Sequence, residues 1–423
     1  MKKKMTMLLA LLLVSSIFVA AADSPERKRP PRRESGEPEK GQNQPYSLAQ
    51  AMSDQAQLHT IAFNGLAFLT GDFGAATFLP PGKVCDFFGF QYMRDIDAAH
   101  KGHNPIFLNR ISANVLSILN ETQRAELRKL AESQTAGLDT LARRRLPLIM
   151  AFYRATAEKA LLDKAAVIRE TGEIFRLDME LSIARAELFG RIANSLSPAQ
   201  KAVMGKLKFG DFNSWSALDV NAYKLPRGAS HLVNVAYLTY ASEFFSWYAG
   251  NVEADTYFCP ERHGTYFGGF YMKDMPVMGK TDANISTAVT GDSGAAFLDA
   301  LNPEQRQAIT GTVDAQRKAL TEIAELRRRI ALELRQYLDG KTPDREKLLA
   351  MGTRYGELDG EMSYNYASAF ARVAKTLTPA QKEKLVALRN LKGYVAASYY
   401  IYSAPQQNSA PVGDTRRVFE VKK

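Results

Sequence analysis

Apolar and polar residues alternate along this chain with a helical period. Behind Leu301-Asn302-Pro303-Glu304-Gln305-Arg306, apolar side chains recur at Ile309, Val313, Leu320, Ile323, Leu326, Ile330, Leu334 and Tyr337, at intervals of three, four or seven. Such spacing places them on one stripe and predicts a long amphipathic helix. Gly340 is positioned to end it and Thr342-Pro343 to start the next, whose inner face would carry Leu348, Leu349, Leu358, Met362, Tyr366, Phe370 and Val373. The first half of the chain repeats this plan, with Pro147 expected to kink its long helix.

The helix starts share one signature. In Leu119-Asn120-Glu121-Thr122-Gln123, Leu196-Ser197-Pro198-Ala199-Gln200, Leu301-Asn302-Pro303-Glu304-Gln305 and Leu377-Thr378-Pro379-Ala380-Gln381, a small polar residue can accept from a first-turn amide. A glutamine three residues on can bond back to it. Pro198, Pro303 and Pro379 stand at the first helical position, where a missing N–H costs nothing. The fourth helical residue is Arg or Lys, so the preceding Leu lacks its usual apolar partner and is expected to pack elsewhere.

Chain self-comparison at a shift of about 180 residues gives dense matches. FLPPGKVCDFFGFQYMRD (78–95) faces YFCPERHGTYFGGFYMKD (257–274), and TGDFGAATF (70–78) faces AGNVEADTY (249–257). Leu177-Asp178-Met179-Glu180-Leu181-Ser182 faces Leu358-Asp359-Gly360-Glu361-Met362-Ser363. The expected fold is therefore all-α, two tandem repeats of a helical-hairpin module spanning 47–225 and 226–402, with a polar tail at 403–423.

The ends and the charge place this body. Residues 1–22 combine Lys2, Lys3 and Lys4, an apolar run from Met7 to Val19 and Ala20-Ala21-Ala22, the pattern of a cleavable secretory signal peptide. Periplasmic or secreted location and no membrane span are the expectations, since no apolar run reaches the ~20 residues a bilayer crossing needs. Residues 23–46 are basic, Pro-rich and nearly devoid of apolar side chains, a linker too polar to fold alone. The formal charge is +10, but residues 1–46 hold nine Lys/Arg against five Asp/Glu, leaving about +6 on the rest. There basic and acidic residues alternate along helices as on a solvated face, so nucleic acid is not the expected partner.

Two LTxxQ-like motifs bracketing a helical hairpin, the last reading LTPAQK, in an exported basic protein resemble the LTxxQ-motif family of periplasmic stress proteins typified by Spy and CpxP. The resemblance covers about 119–205 and 301–390, and only Leu377 to Gln381 fits the motif strictly. It implies an all-helical fold that dimerises into a cradle, here as a pseudo-dimer within one chain. It also implies ATP-independent holding of unfolded polypeptides, with metal binding in some relatives.

Outside the resemblance lie the aromatic segments. Phe87, Phe88, Phe90, Tyr92 and Met93, with Tyr266, Phe267, Phe270, Tyr271 and Met272, are read as core or inter-repeat packing in the plain reading. In the functional one they form a client-binding surface. Phe244, Phe245, Trp247 and Tyr248 add to the second segment. Cys85 and Cys259 could pair or remain separate thiols. His100 and His103, and His263 near Cys259, have ligand-like spacing, but two donors fall short of the three or four that zinc or copper needs. His59 and His231 are lone residues on expected helices.

Asp178/Glu180 and Asp359/Glu361 are the most enzyme-like pairs, yet a spacing of two on a helix points them about 200° apart. Asp178 with Ser182, and Asp359 with Ser363, share a face and suit polar contacts between helices. No nucleophile elbow, phosphate loop or dinucleotide fingerprint is present, so no enzymatic activity and no cofactor is expected. The expected function is an exported holdase for unfolded polypeptides. The alternatives are a metal-binding envelope protein and a partner-binding structural module.

Overall fold

The computed structural model describes residues 57, 58, 61, 65, 66, 68–70, 105–158, 160–207, 214–252, 255 and 295–388. All of these belong to one compact unit, Asn43–Lys423. Every regular element among the described residues is helical. They are α1 (Pro105–Ile118), α2 (Glu121–Ala157), α3 (Lys164–Ser195), α4 (Pro198–Met204), a 3-10 turn (Val220–Tyr223), α5 (His231–Ala249), α6 (Ala295–Asp299), α7 (Pro303–Arg335), a second 3-10 turn (Gln336–Asp339), α8 (Arg345–Ala374) and α9 (Pro379–Leu388). Residues 57, 58, 61, 65, 66 and 68–70 are also helical. No described helix is long and apolar enough to cross a membrane.

The helical period predicted for α7 and α8 is the one observed. Ile309, Val313, Leu320, Ile323, Leu326, Ile330 and Leu334 are buried, as are Leu348, Leu349, Leu358, Met362, Tyr366, Phe370 and Val373. Gly340 ends the first hairpin arm with φ 70°, a left-handed conformation that glycine adopts without steric cost. The next helix starts two residues later than Thr342-Pro343 suggests. Asp344 is the cap, its carboxylate accepting from the Lys347 N–H at 3.1 Å, a bond that places an anion at the helix N-terminus. Pro147 lies inside α2, which continues to Ala157.

Two hairpins, α2/α3 and α7/α8, meet through their second arms. Helices α3 and α8 run antiparallel: Gly352 faces Met179, Gly356 faces Phe175 and Thr171, and Gly360 faces Thr171 and Ile168. Phe175 and Gly356 stand at matched positions, two before Leu177 and two before Leu358. A Cβ on Gly356 would lie 2.3 Å from the Thr171 carbonyl oxygen and 2.7 Å from the Phe175 Cβ. The missing side chain is thus what lets the backbones approach. Phe175 then packs edge-on to Tyr355 at 4.7 Å between centroids.

Helix α5 and the helical residues at 57–70 cross the boundary drawn at 225/226. Helix α5 packs on α1, α2 and α3 of the first half, setting Phe244 and Trp247 against Phe189 at 5.7 and 6.2 Å. The helical residues at 57–70 lie on the second half, where Phe68 meets Phe370 at 5.5 Å and Gly65 abuts Phe297 and Phe370. The buried apolar residues of all these elements form one contiguous core.

Gly356→Ala should lower stability by roughly 1–3 kcal/mol through overpacking. By contrast, Gly311→Ala on α7, where a Cβ meets nothing within 4 Å, should raise it by about 0.5–1 kcal/mol. Urea unfolding of both variants followed by circular dichroism checks the opposite signs.

Candidate functional site

The helix-start motifs do more than cap. Asn120 accepts from the Gln123 N–H at 2.9 Å, and Gln123 Oε1 accepts from the Asn120 N–H at 2.9 Å. Ser197 with Gln200, Asn302 with Gln305 and Thr378 with Gln381 close the same reciprocal pair. The boxes are then joined across each hairpin. Gln200 Nε2 donates to Gln123 Oε1 at 2.8 Å and to the Ile118 carbonyl at 2.8 Å. Gln381 Nε2 donates to Gln305 Oε1 at 2.8 Å and to the Ala300 carbonyl at 3.1 Å.

Gln123 Nε2 completes its clamp on Ser195 Oγ at 2.9 Å, and Gln305 Nε2 completes its own on Thr376 Oγ1 at 3.0 Å. Each buried glutamine thus accepts twice through one oxygen, which fills both lone pairs. Leu119, Leu196, Leu301 and Leu377 are buried. The basic residue after the box serves the helix before it: Arg124 donates to the Leu116 and Leu119 carbonyls at 3.0 and 2.9 Å, and Arg306 to the Leu298 carbonyl at 3.2 Å.

Two charge clusters lie under the crossing helices. In the first, the fully buried Arg185 of α3 sits 3.9 Å from Asp178 and 3.8 Å from Glu243 of α5. It also donates to Ser182 Oγ at 3.2 Å, and the Tyr240 ring lies 5.2 Å from its guanidinium. Tyr240 donates to Gln134 Oε1 at 2.7 Å, and Gln134 Nε2 donates to the Leu181 carbonyl at 2.9 Å. At the matched place in the second half, Tyr366 replaces Arg185, and Gln316 donates to Gln57 Oε1 at 2.8 Å. Burial pushes the Tyr366 phenol well above its ordinary range.

The second cluster joins the end of α5 to α7. Arg335 pairs with Asp255 and donates to the Trp247 carbonyl at 2.8 Å, with its guanidinium 5.6 Å from the Trp247 ring. Arg327 donates to the Asp255 carbonyl at 3.1 Å and to the Tyr355 hydroxyl at 3.1 Å. Burial pushes the Asp255 carboxyl up to about 6, against the opposing pull of Arg335 and Arg327.

The paired carboxylates do not converge. Asp178 and Asp359 are buried with Ser182 and Ser363, whereas Glu180 bonds Arg176 at 2.8 Å and Glu361 bonds Lys164 at 2.9 Å on the outside. Among the described residues no three His, Cys, Asp or Glu side chains are grouped to hold a metal ion. Phe244, Phe245 and Trp247 are buried, so these aromatics are core. Phe87, Phe88, Phe90, Tyr92, Met93, Tyr266, Phe267, Phe270, Tyr271 and Met272 lie outside the described residues. So do Cys85, Cys259, His59, His100, His103, His263 and the side chain of His231.

Arg185, Glu243, Arg327, Arg335 and Gln134 were not singled out from the sequence. Arg185 and Arg327 carried a usable signal, a cation on a face whose neighbours Ser182, Ile323 and Ile330 point inward. Glu243 and Asp255 had none, because their partners belong to remote segments. No known protein family, curated protein or solved structure matches the chain.

Gln123→Leu and Gln305→Leu should each cost about 1–3 kcal/mol, since either strands an amide and a box partner; urea midpoints measure both. The folded state binds the Asp255 proton more tightly than an ordinary carboxylate of 3.8 would. Its contribution to stability is therefore fullest below about 4, falls as pH rises towards about 6 and is level above that. Asp255→Asn should remove that slope, on the order of 1–3 kcal/mol between pH 4 and pH 7, in unfolding curves taken at both pH values.

Proposed function

We propose that this chain is an exported, non-enzymatic binding protein made of two fused copies of an LTxxQ-like helical hairpin. In this reading it holds unfolded polypeptides without ATP. The observation that carries it is the glutamine clamp, which ties the two motifs of each hairpin together at Gln123/Gln200 and again at Gln305/Gln381. The same residue types at matched places serve the same bonds, as duplication of a module with LTxxQ-like boundaries would produce. The antiparallel contact of Phe175 with Gly356 supports a further step. Matched positions meeting each other are what a twofold-related pair of modules would give, so the chain is read as a pseudo-dimer.

Binding rather than catalysis suits the buried polar groups, which face one another inside the core. The large apolar side chains exposed on the described surface, Leu161, Val203, Leu218, Leu332 and Val386, sit on three helices and two connecting segments, too scattered to hold a client. The client surface is therefore assigned to the aromatic segments, Phe87 to Met93 and Tyr266 to Met272. Aromatics and methionine accept varied apolar partners there.

The mature chain at near-equimolar amounts should slow aggregation of a chemically denatured protein by several-fold, with or without chelator. Phe88→Ala with Phe267→Ala should abolish most of that effect while leaving the helical signal intact. No suppression removes the holdase reading. Suppression lost on chelation transfers the function to a metal-dependent protein, and suppression confined to one client points to a dedicated partner.

A further inference from the structure

Where α3 crosses α8, glycine stands on one side of each matched pair. At the spacing that aligns Leu177 with Leu358, Thr171 matches Gly352, Gly172 matches Thr353, Phe175 matches Gly356 and Met179 matches Gly360. The contacts follow a twofold rule. Phe175 lies over its own counterpart, Gly356, while Thr171 lies over the counterpart of Met179 and Met179 over the counterpart of Thr171. A Cβ on Gly352 would stand 2.7 Å from the Met179 Cβ, and one on Gly360 would stand 2.0 Å from Thr171 Oγ1. With the 2.3 Å approach at Gly356, α8 has no room for a side chain at three positions spaced four residues apart.

Helix α3 thus presents a ridge and α8 a trench. Thr171, Phe175 and Met179 are at most 2 % exposed. The Thr171 hydroxyl donates within its own helix, to the Val167 and Ile168 carbonyls at 2.8 and 3.0 Å, so lying under Gly360 strands no polar group. Beside the ridge Gly172 reverses the roles, since a Cβ there would meet Glu357 Cγ at 3.3 Å and Thr353 Cγ2 at 3.7 Å. A pair of like hairpins would lose this fit. Under the same twofold rule, α3 against a second α3 sets Phe175 on Phe175 and Met179 on Thr171, with side chains on both sides of contacts that now rest on glycine. A second α8 against α8 sets glycine on glycine at all three places and buries no ridge side chain, forgoing the apolar burial that holds the crossing.

We propose that the ridge of α3 and the trench of α8 form a heterotypic lock, through which each hairpin accepts the other hairpin and rejects a second copy of itself. The lock rests on reading the chain as two fused copies. The partner it fits is a helix with a β-branched residue, phenylalanine and methionine four residues apart, which the chain itself supplies, so it closes within one chain rather than through like hairpins of two. Fit to the right partner combined with a clash or a gap against the wrong one is how similar surfaces become selective.

Like pairing can be imitated inside the full mature chain. Gly356→Phe sets phenylalanine on phenylalanine, as α3 against α3 would, and Phe175→Gly sets glycine on glycine, as α8 against α8 would. Each should lower the urea midpoint of unfolding. Phe175→Gly combined with Gly356→Phe keeps one glycine and one phenylalanine at the same two positions and restores a mixed pair, with the knob now on α8. Its midpoint should lie above those of both single variants. Where Gly356→Phe alone does not fold, cooperative unfolding of the exchanged variant above Phe175→Gly is the same result. An exchanged variant that does not fold, or whose midpoint is at or below either single variant, overturns the proposal. Neither substitution touches the glutamine clamps on which the reading as two copies rests. No client enters the measurement, so its outcome is independent of the aggregation assay.

Discussion

The rest of the structure depends on how closely α3 and α8 approach. With a Cβ on Gly356 the Thr171 carbonyl would be met at 2.3 Å, so this contact exists only because one half keeps glycine where the other keeps Phe175. Gly352 and Gly360 extend the same relief one turn to either side. Close approach then sets where the two hairpins stand, and so which faces are left for α5 and for the helical residues at 57–70. An asymmetric pair of residues at a matched position is a simple way for two similar sequences to interlock. A phenylalanine facing a phenylalanine would hold the backbones apart, and two glycines would leave a void.

Polar groups in this core act at two levels. The glutamine clamps are neutral and fully bonded, so they fix helix ends at little electrostatic cost. The Arg185 and Arg335 clusters bury charge, which is seldom a net gain in stability against well-packed apolar side chains. Breaking either cluster would leave a buried charge uncompensated, so separating the partners costs more than their union contributes. Both clusters involve α5 or the residues just after it, the part of the chain whose neighbours lie in both halves.

Much of this was legible in the sequence, for reasons that are local. The apolar stripe from Ile309 to Leu334 and the boxes at Asn120, Ser197, Asn302 and Thr378 depend on residues within a turn or two of one another, and periodicity reads them directly. The glutamines could be read as caps, but their second bonds, from Gln200 to Gln123 and from Gln381 to Gln305, could not. Those depend on the hairpin closing. Asp344 outcompeted Thr342 as a cap because its carboxylate reaches the Lys347 amide, a choice among adjacent polar residues that spacing alone does not resolve. The packing of α5 across the 225/226 boundary was illegible for a different reason. A repeat tells which segments are alike, but not which of two like hairpins each one packs on.

That crossing has a consequence for the order of assembly. Gln57 meets Gln316 across a separation of 259 residues, so the helical residues at 57–70 have no docking face until the second hairpin has been made. Closing so long a loop is entropically slow relative to forming either hairpin. Ile61, Leu66 and Phe68, buried in the finished fold, must therefore wait uncovered while later segments fold. A chain built this way meets, during its own maturation, the same hazard of unsatisfied apolar surface that any unfolded polypeptide presents.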